Sequence, residues 1–316
     1  MATVTSVHGA VAVNADVLRG NRRRHRKEAI IRGIFRMSAL LSIVISLAIV
    51  AALAYDAIFL FLSKIDLSQL WSKGWFPRRD LFDIPTIVIG TILVSAVAMV
   101  VATPLGLGAA IYLAEYANPR VRRVLKPIIE TLAGIPSVVI GFFALNTINP
   151  YLVQDLLGAS STFTMMAAGI GVGILTVPLV ATVTEDALFA VPNALREAAY
   201  GVGARKRTVI VRVVVPAAVS GIAAAFILGL SRAVGETMVV AIAAGGTGGS
   251  LRTFNVLGPG QTMTGAIAAL ATGSDQVQGS TQAFNSLYFV GLLLFFATLA
   301  LNAISERFVR RVRKQY

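Results

Sequence analysis

The chain has 316 residues, of which 56% are hydrophobic and only 14% charged, with a mean hydropathy of +0.77. A soluble domain of this length could not hide so much apolar surface, so the composition predicts a protein whose solvent is lipid. The net charge of +13 would point to nucleic acid in a soluble protein, but no aromatic residues interleave with the basic ones in the manner of a single-strand groove, and nucleic acid is excluded as a partner.

Residues 1–36 form a polar, basic arm whose densest run is Arg22-Arg23-Arg24-His25-Arg26-Lys27. An apolar run from Met37 to Leu62 follows. Ala52-Leu53-Ala54 imitates a signal-peptidase site, but the arm is too long and the apolar core overruns the usual roughly 7–15 residues, so a first transmembrane helix is expected. Further apolar segments lie at about 84–114, 128–149, 164–184, 213–243 and 286–305. Each reaches the roughly 20 residues that cross the hydrocarbon at about 1.5 Å per residue. The third is interrupted by Pro136 and Asn146, the fifth by charge. The expected fold is therefore all-α, a polytopic bundle of six transmembrane helices over 37–305, with a basic tail at 306–316.

Loop charge orients the bundle. With the N-terminus inside, 22 of the 28 Lys and Arg residues fall in the inner segments and five in the outer ones; the remaining one, Arg232, lies within a span. That bias predicts cytoplasmic N- and C-termini, with basic loops touching anionic membrane lipid. The outer loop 244–285 is rich in Gly, Ser and Thr. Thr262 to Ala271 within it is helical in pattern and too short to span, which fits either the mouth of a pathway or a cap on the bundle.

The inner loop 185–212 carries the most specific pattern. Pro192 and Asn193 can open a helix, Ala194 to Tyr200 suits a short one, and Gly201 and Gly203 allow a sharp turn. Structure restarts from Val209, with Pro216 at the entrance to the fifth span. The result is a helix-turn-helix elbow over about 185–216, flanked by Arg205-Lys206-Arg207. The spacing Glu197-Ala198-Ala199, Gly203, Val213-x-Val215-Pro216 resembles the EAA loop of binding-protein-dependent ABC-importer permeases, with valine at two positions usually filled by Ile and Leu. The run Pro104 to Ala117 resembles the second span of phosphate permeases. Leu132-Ala133-Gly134-Ile135-Pro136-Ser137, Ser231-Arg232-Ala233-Val234-Gly235-Glu236-Thr237-Met238 and Gln261-Thr262-Met263-Thr264 resemble further motifs of the same permeases. The Gly-Glu-Thr-Met ending is closer to the PstC branch than to its PstA sister.

The resemblance implies a type I importer permease fold and a multi-pass place in the bacterial cytoplasmic (inner) membrane. It also implies three kinds of partner: a homologous PstA-like second permease, two PstB-like cytoplasmic ATPases, and a PstS-like extracytoplasmic phosphate-binding protein. In that family the Glu197 helix docks into the ATPase, which makes Glu197, Ala198, Ala199, Gly203 and Pro216 the coupling residues. The chain has no Gly-x4-Gly-Lys-Ser/Thr loop to cradle nucleotide phosphates. ATP and Mg are thus expected on the partner subunits, with no cofactor, metal or catalytic residue of its own. Sulfate or molybdate are alternative oxyanions for the same architecture, and an ion-coupled secondary transporter is a further reading.

The candidate substrate-pathway residues are Arg232, Glu236, Thr237 and Ser137. A charge in mid-span costs roughly 2.5–3.5 kcal/mol on insertion scales, so it belongs at a cavity or a partner. Arg232 and Glu236 are spaced i,i+4 and are expected to share a helix face. A guanidinium offers planar donors to phosphate, and a neighbouring carboxylate can compete for it. Ser137 and Thr237 could donate further hydrogen bonds. Glu115, at the inner end of span two, is expected to be solvated.

Overall fold

A computed structural model describes residues 22–245, 249–272 and 281–312. The arm before Arg22 (His8 included), the tail after Val312 and Gly246 to Gly248 of the glycine-rich loop lie outside the described residues. The chain divides into two units, Met1–Ala52 and Leu53–Tyr316. The described part of the first is helix α1, Arg22–Tyr55, whose last turn enters the second unit. The helix therefore begins inside the basic arm rather than at Met37. Large apolar residues on all sides of it, from Ile30 to Ile49, are exposed. Such an all-round apolar surface is that of a membrane span.

The second unit opens with a π-helical turn, Asp56–Phe61, and a two-stranded hairpin, β1 (Trp75–Phe76) and β2 (Leu81–Phe82), paired Trp75 to Phe82. Its helices follow as α2 (Ile84–Ile111), α3 (Pro119–Leu132), α4 (Ser137–Phe143) and α5 (Met165–Phe189). Then come α6 (Asn193–Gly201), α7 (Lys206–Val209), α8 (Val215–Ala217), α9 (Val219–Gly235) and α10 (Met238–Ala243). Two more, α11 (Met263–Ala271) and α12 (Thr281–Val312), complete it. Among the described residues four helical stretches are individually long and apolar enough to cross a membrane: Lys27–Lys64, Ile84–Tyr116, Met165–Phe189 and Gln282–Arg307. Two bent pairs bring the number to six when each pair is one span.

Those bent pairs revise the boundaries expected for spans three and five. The chain turns by 87° between Pro119–Leu132 and Ser137–Gln154. Residues 128–132 therefore belong to α3, an amphipathic helix with Arg122 and Lys126 on one side and exposed Val124, Ile128 and Leu132 on the other. Pro136 ends it, since the residue before proline avoids the helical region. The second pair bends by 69° between Lys206–Ala217 and Val219–Gly235. Span five then breaks again at Glu236, which is extended (φ −69°, ψ 129°).

Three apolar clusters are stacked through the second unit. At the hairpin end, Phe61, Trp75, Phe82, Ile87, Ala266 and Val290 pack together. In the middle, Val94, Ala98, Ile140, Ala168, Val172 and Val239 join α2, α4, α5 and α10. At the elbow end, Ala110, Leu188, Val191, Val209 and Val214 close the bundle. Small residues let α2 and α5 approach closely: a Cβ on Gly169 would lie 2.6 Å from that of Val97 and one on Gly173 would lie 2.8 Å from that of Val101. Without a hydrophobic drive between helices in lipid, such packing holds the bundle together.

The short helix α11 lies inside the bundle and is not a surface cap. Residues Gln261 to Ala266 are buried, and Thr262 caps the helix by accepting from Gly265 N–H. Met263 N–H donates to Thr91 Oγ1 on α2 at 2.9 Å. The segment dips in because Gly90 leaves room for it: a Cβ there would collide with the backbone carbonyl of Gln261. Backbone cannot yield as a side chain can, so Gly90→Ala is expected to displace the dip and break the Thr91 bond. Overpacking of this kind costs about 1–3 kcal/mol. Thermal unfolding in detergent checks it, and a variant as stable as the parent overturns the close-approach argument.

Candidate functional site

The elbow is built as a short helix anchored on one side. Pro192 precedes α6 in an extended conformation (ψ 136°) and no side chain caps the helix. Asn193, expected to cap it, instead accepts from Arg196 Nη1 through its Oδ1 at 3.2 Å. At the other end Gly203 adopts φ +81°, and the N–H groups of Gly203 and Ala204 return to the carbonyls of Tyr200 and Ala199 at 2.9 and 3.1 Å. Only Gly203 of the two expected glycines takes the left-handed turn; Gly201 closes the helix. A nine-residue helix is marginal alone. Leu195 and Ala199 hold it against the elbow-end cluster. The face away from that cluster presents Glu197, Ala198 and Tyr200, with Val202 at the tip 85% exposed. Pro216 is exposed within α8, two residues before the 69° bend at Ala218.

Ionic contacts knit this end. Arg196 Nη2 lies 2.8 Å from Glu115 Oε1, with side-chain exposures of 15% and 8%. Arg196 also donates to the carbonyls of Leu188 (2.8 Å) and Val191 (2.6 Å) at the end of α5. Glu115 is thus enclosed and paired, not solvated. Nearby, Glu185 on α5 is 1% exposed and meets Arg122 Nη2 at 3.0 Å and Lys126 Nζ at 3.2 Å, both from α3. Arg122 also stacks over the Phe189 ring at 4.0 Å.

The broken fifth span holds the candidate pathway residues. Because α9 ends at Gly235, Glu236 does not continue the face that carries Arg232. Among the described residues no ion pair joins the two; Arg232 is exposed on this chain and makes no hydrogen bond. It lies about 20 Å along α9 from Val219 at 1.5 Å per residue. Glu236 is engaged otherwise. Its carbonyl accepts from Thr264 Oγ1 at 2.7 Å, and its Oε1 faces Val239 N–H at 3.5 Å, a weak cap on α10. Thr237 and Ser137 begin α10 and α4, which pack side by side: a Cβ on Gly141 would lie 3.2 Å from the Cα of Val239. Both helices run from the elbow end toward the hairpin end, so their positive N-terminal ends sit together at the break.

At the hairpin end, Asp83 is fully buried and takes a two-point contact from Arg252: Nη2 to Oδ1 at 2.6 Å and Nε to Oδ2 at 3.2 Å. The hydrogen bond to Asp83 raises the Arg252 pKa above the ordinary guanidinium value, outweighing desolvation, with the charge of Asp83 adding to it. This clamp ties the loop after α10 to the start of α2.

Residues 102–314 match the model of the family described as "Binding-protein-dependent transport system inner membrane component", a span that contains the elbow, the break and α11. The chain belongs to this family. It is 32% identical to the phosphate transport system permease protein PstC of Mesorhizobium japonicum, over 92% of each chain. It is 30% identical to the PstC of Pasteurella multocida, over 92% of this chain and 94% of that one. The fold of this permease is that of solved importer permeases: one chain of a bacterial alginate ABC transporter superposes with a TM-score of 0.62 at 15% identity, covering 91% of this chain and 98% of that one.

Glu197, Ala198 and Gly203 of the permease's elbow are exposed while Ala199 faces the elbow-end cluster, and Ser137 and Thr237 each begin one of two helices that pack side by side. Arg232 and Glu236 do not pair. The residues that sequence reasoning missed are Arg196, Glu185 and the pair Asp83 and Arg252. Arg196 stands beside Glu197 in the elbow pattern, but its partner Glu115 is 81 positions away.

Proposed function

We propose that the chain is the membrane-spanning subunit of an ATP-driven importer that carries inorganic phosphate into the cytoplasm by alternating access. Relatives at 30–32% identity over most of the chain are phosphate permeases by name. Arg232 carries the mechanistic side of the reading. A guanidinium about 20 Å into a span, without a partner among the described residues, is costly in lipid and belongs at a polar pathway or subunit seam. A PstA-like second permease would form the other half of that pathway. Phosphate, a mixture of mono- and dianion near neutral pH, would contact Arg232 transiently. Ser137 and Thr237 would offer hydroxyls from the positive ends of α4 and α10, and Glu236 would temper the site as phosphate leaves.

In this reading both termini and the elbow are cytoplasmic, as the basic loops favour, in the bacterial inner membrane. Two PstB-like ATPases hold ATP and Mg and receive the exposed face of Glu197, Ala198, Tyr200 and Val202. A PstS-like binding protein delivers phosphate at the hairpin end. Purification in mild detergent is expected to recover these subunits together. Uptake of radiolabelled phosphate by the reconstituted complex is expected to require ATP and the binding protein, with excess sulfate or molybdate leaving it within about twofold, a difference of under ~0.5 kcal/mol. Suppression by sulfate or molybdate would reassign the anion, and uptake by the purified chain alone on an ion gradient would overturn the ATP-driven reading.

A further inference from the structure

The covalent route from the elbow to the broken span is hinged. It passes through Pro216 and then a 69° bend before α9 begins. A hinge transmits displacement poorly. A second route leaves the elbow sideways through Arg196. Its guanidinium takes Glu115 at the end of the second span with Nε (3.2 Å) and Nη2 (2.8 Å). Nη1 and Nη2 take the Val191 and Leu188 carbonyls just past and within the last turn of α5. Carbonyls at a helix end lack intrahelical donors and carry the negative end of the dipole, so a buried cation there is held firmly. Beyond this knot α5 is one unbroken helix of 25 residues. It packs against α2 along its length and reaches α10 in mid-bundle, where a Cβ on Gly171 would lie 3.0 Å from Val239 Cγ1.

We propose that Arg196 is a positioning residue for transport: it latches the elbow to α2 and α5 as one rigid piece, so that motion of the elbow reaches the break at Glu236 through α5 and not through Pro216. The assignment rests on the reading of the chain as an ATP-driven permease. Planarity matters, because these hydrogen bonds need donors in a fixed fork; lysine can satisfy only part of them.

The test uses the complete importer in proteoliposomes, measuring ATP hydrolysed per phosphate imported. Arg196→Ala is expected to assemble and to hydrolyse ATP at half the parental rate or better, while the ATP-to-phosphate ratio rises at least tenfold. Arg196→Lys and Glu115→Gln are expected to raise it less, and serve if the alanine variant fails to assemble. The exchange of charges in Arg196→Glu with Glu115→Arg is expected to recover part of the coupling. A structural role alone would lower assembly, hydrolysis and uptake together and leave the ratio unchanged.

A second readout does not depend on the substrate. The chain has no cysteine, so spin labels at Val100→Cys on α2 and Ala194→Cys on α6 report the latch directly; Val100 is 74% exposed. Their separation is expected to stay fixed between nucleotide-free and vanadate-trapped states, and to change between those states once Arg196 is replaced. An unchanged ratio, or a separation that remains fixed in Arg196→Ala, overturns the latch. Absence of phosphate import by the parental complex overturns the substrate reading alone, and the label separation still decides the latch.

Discussion

Arg232→Ala is expected to reduce ATP-driven phosphate uptake by more than about 100-fold while the complex still assembles at parental yield. The size follows from what the guanidinium supplies. An anion crossing a low-dielectric span loses its hydration, and a fixed positive fork replaces part of it where nothing else on α9 can. A loss of about 100-fold corresponds to about 2.7 kcal/mol, within reach of one charge-assisted hydrogen bond removed from the rate-limiting passage. Assembly is spared because Arg232 makes no hydrogen bond or ion pair among the described residues, so its removal leaves no partner stranded in this chain. Arg232→Lys keeps the charge without the planar donors and is expected to fall between, about tenfold below the parent. Glu236→Gln keeps the Glu236 carbonyl that accepts from Thr264 and is expected to change uptake by a smaller factor. Uptake assays on reconstituted complex, paired with size-exclusion yield, separate transport from assembly. Near-parental uptake by Arg232→Ala would remove the residue from the pathway.

Much of this arrangement is legible in the sequence because lipid imposes long apolar runs, and because basic loops and the elbow spacing are local patterns. Helix α11 is visible for the same reason, from Thr262 and the run after it. Inferences that assume a helix continues are the ones that fail. Hydropathy counts Ile128 and Leu132 into the third span because apolar residues on an amphipathic helix weigh as much as those in a span; the 87° turn after them has no hydropathy signature beyond Gly134 and Pro136. The expected Arg232–Glu236 pair needs an unbroken helix through Gly235, and the chain instead extends at Glu236. The ionic knots are illegible for a different reason. Arg196 and Glu115, or Arg122 and Glu185, stand 81 and 63 positions apart, and no local period marks such a pair. Glu185 at the edge of an apolar run reads like a loop carboxylate until α3 folds back over it.

That fold-back gives an asymmetry that can be measured. Glu185 is 1% exposed, whereas Arg122 and Lys126 are 37% and 30% exposed. Removing the carboxylate leaves two cations that can swing into water, and Arg122 keeps its place over Phe189. Glu185→Gln is therefore expected to destabilise by about 1 kcal/mol, the worth of a net hydrogen bond. Removing both cations strands a carboxylate that cannot reach solvent, and breaking a buried pair in this way costs about 3–5 kcal/mol. Arg122→Ala with Lys126→Ala is thus expected to lower the midpoint of thermal unfolding in detergent several times more than Glu185→Gln. Adding Glu185→Leu to the double variant is expected to recover most of the loss, because an apolar side chain removes the unpaired charge. Equal destabilisation by the two single-sided changes would mean that water reaches Glu185. Recovery by leucine would mean that α3 is held to α5 chiefly by packing, with the charges choosing where it sits. Since α5 also carries the Leu188 carbonyl that Arg196 grips, uptake by the leucine-rescued variant would then show how much of the coupling needs α3 fixed at that one place.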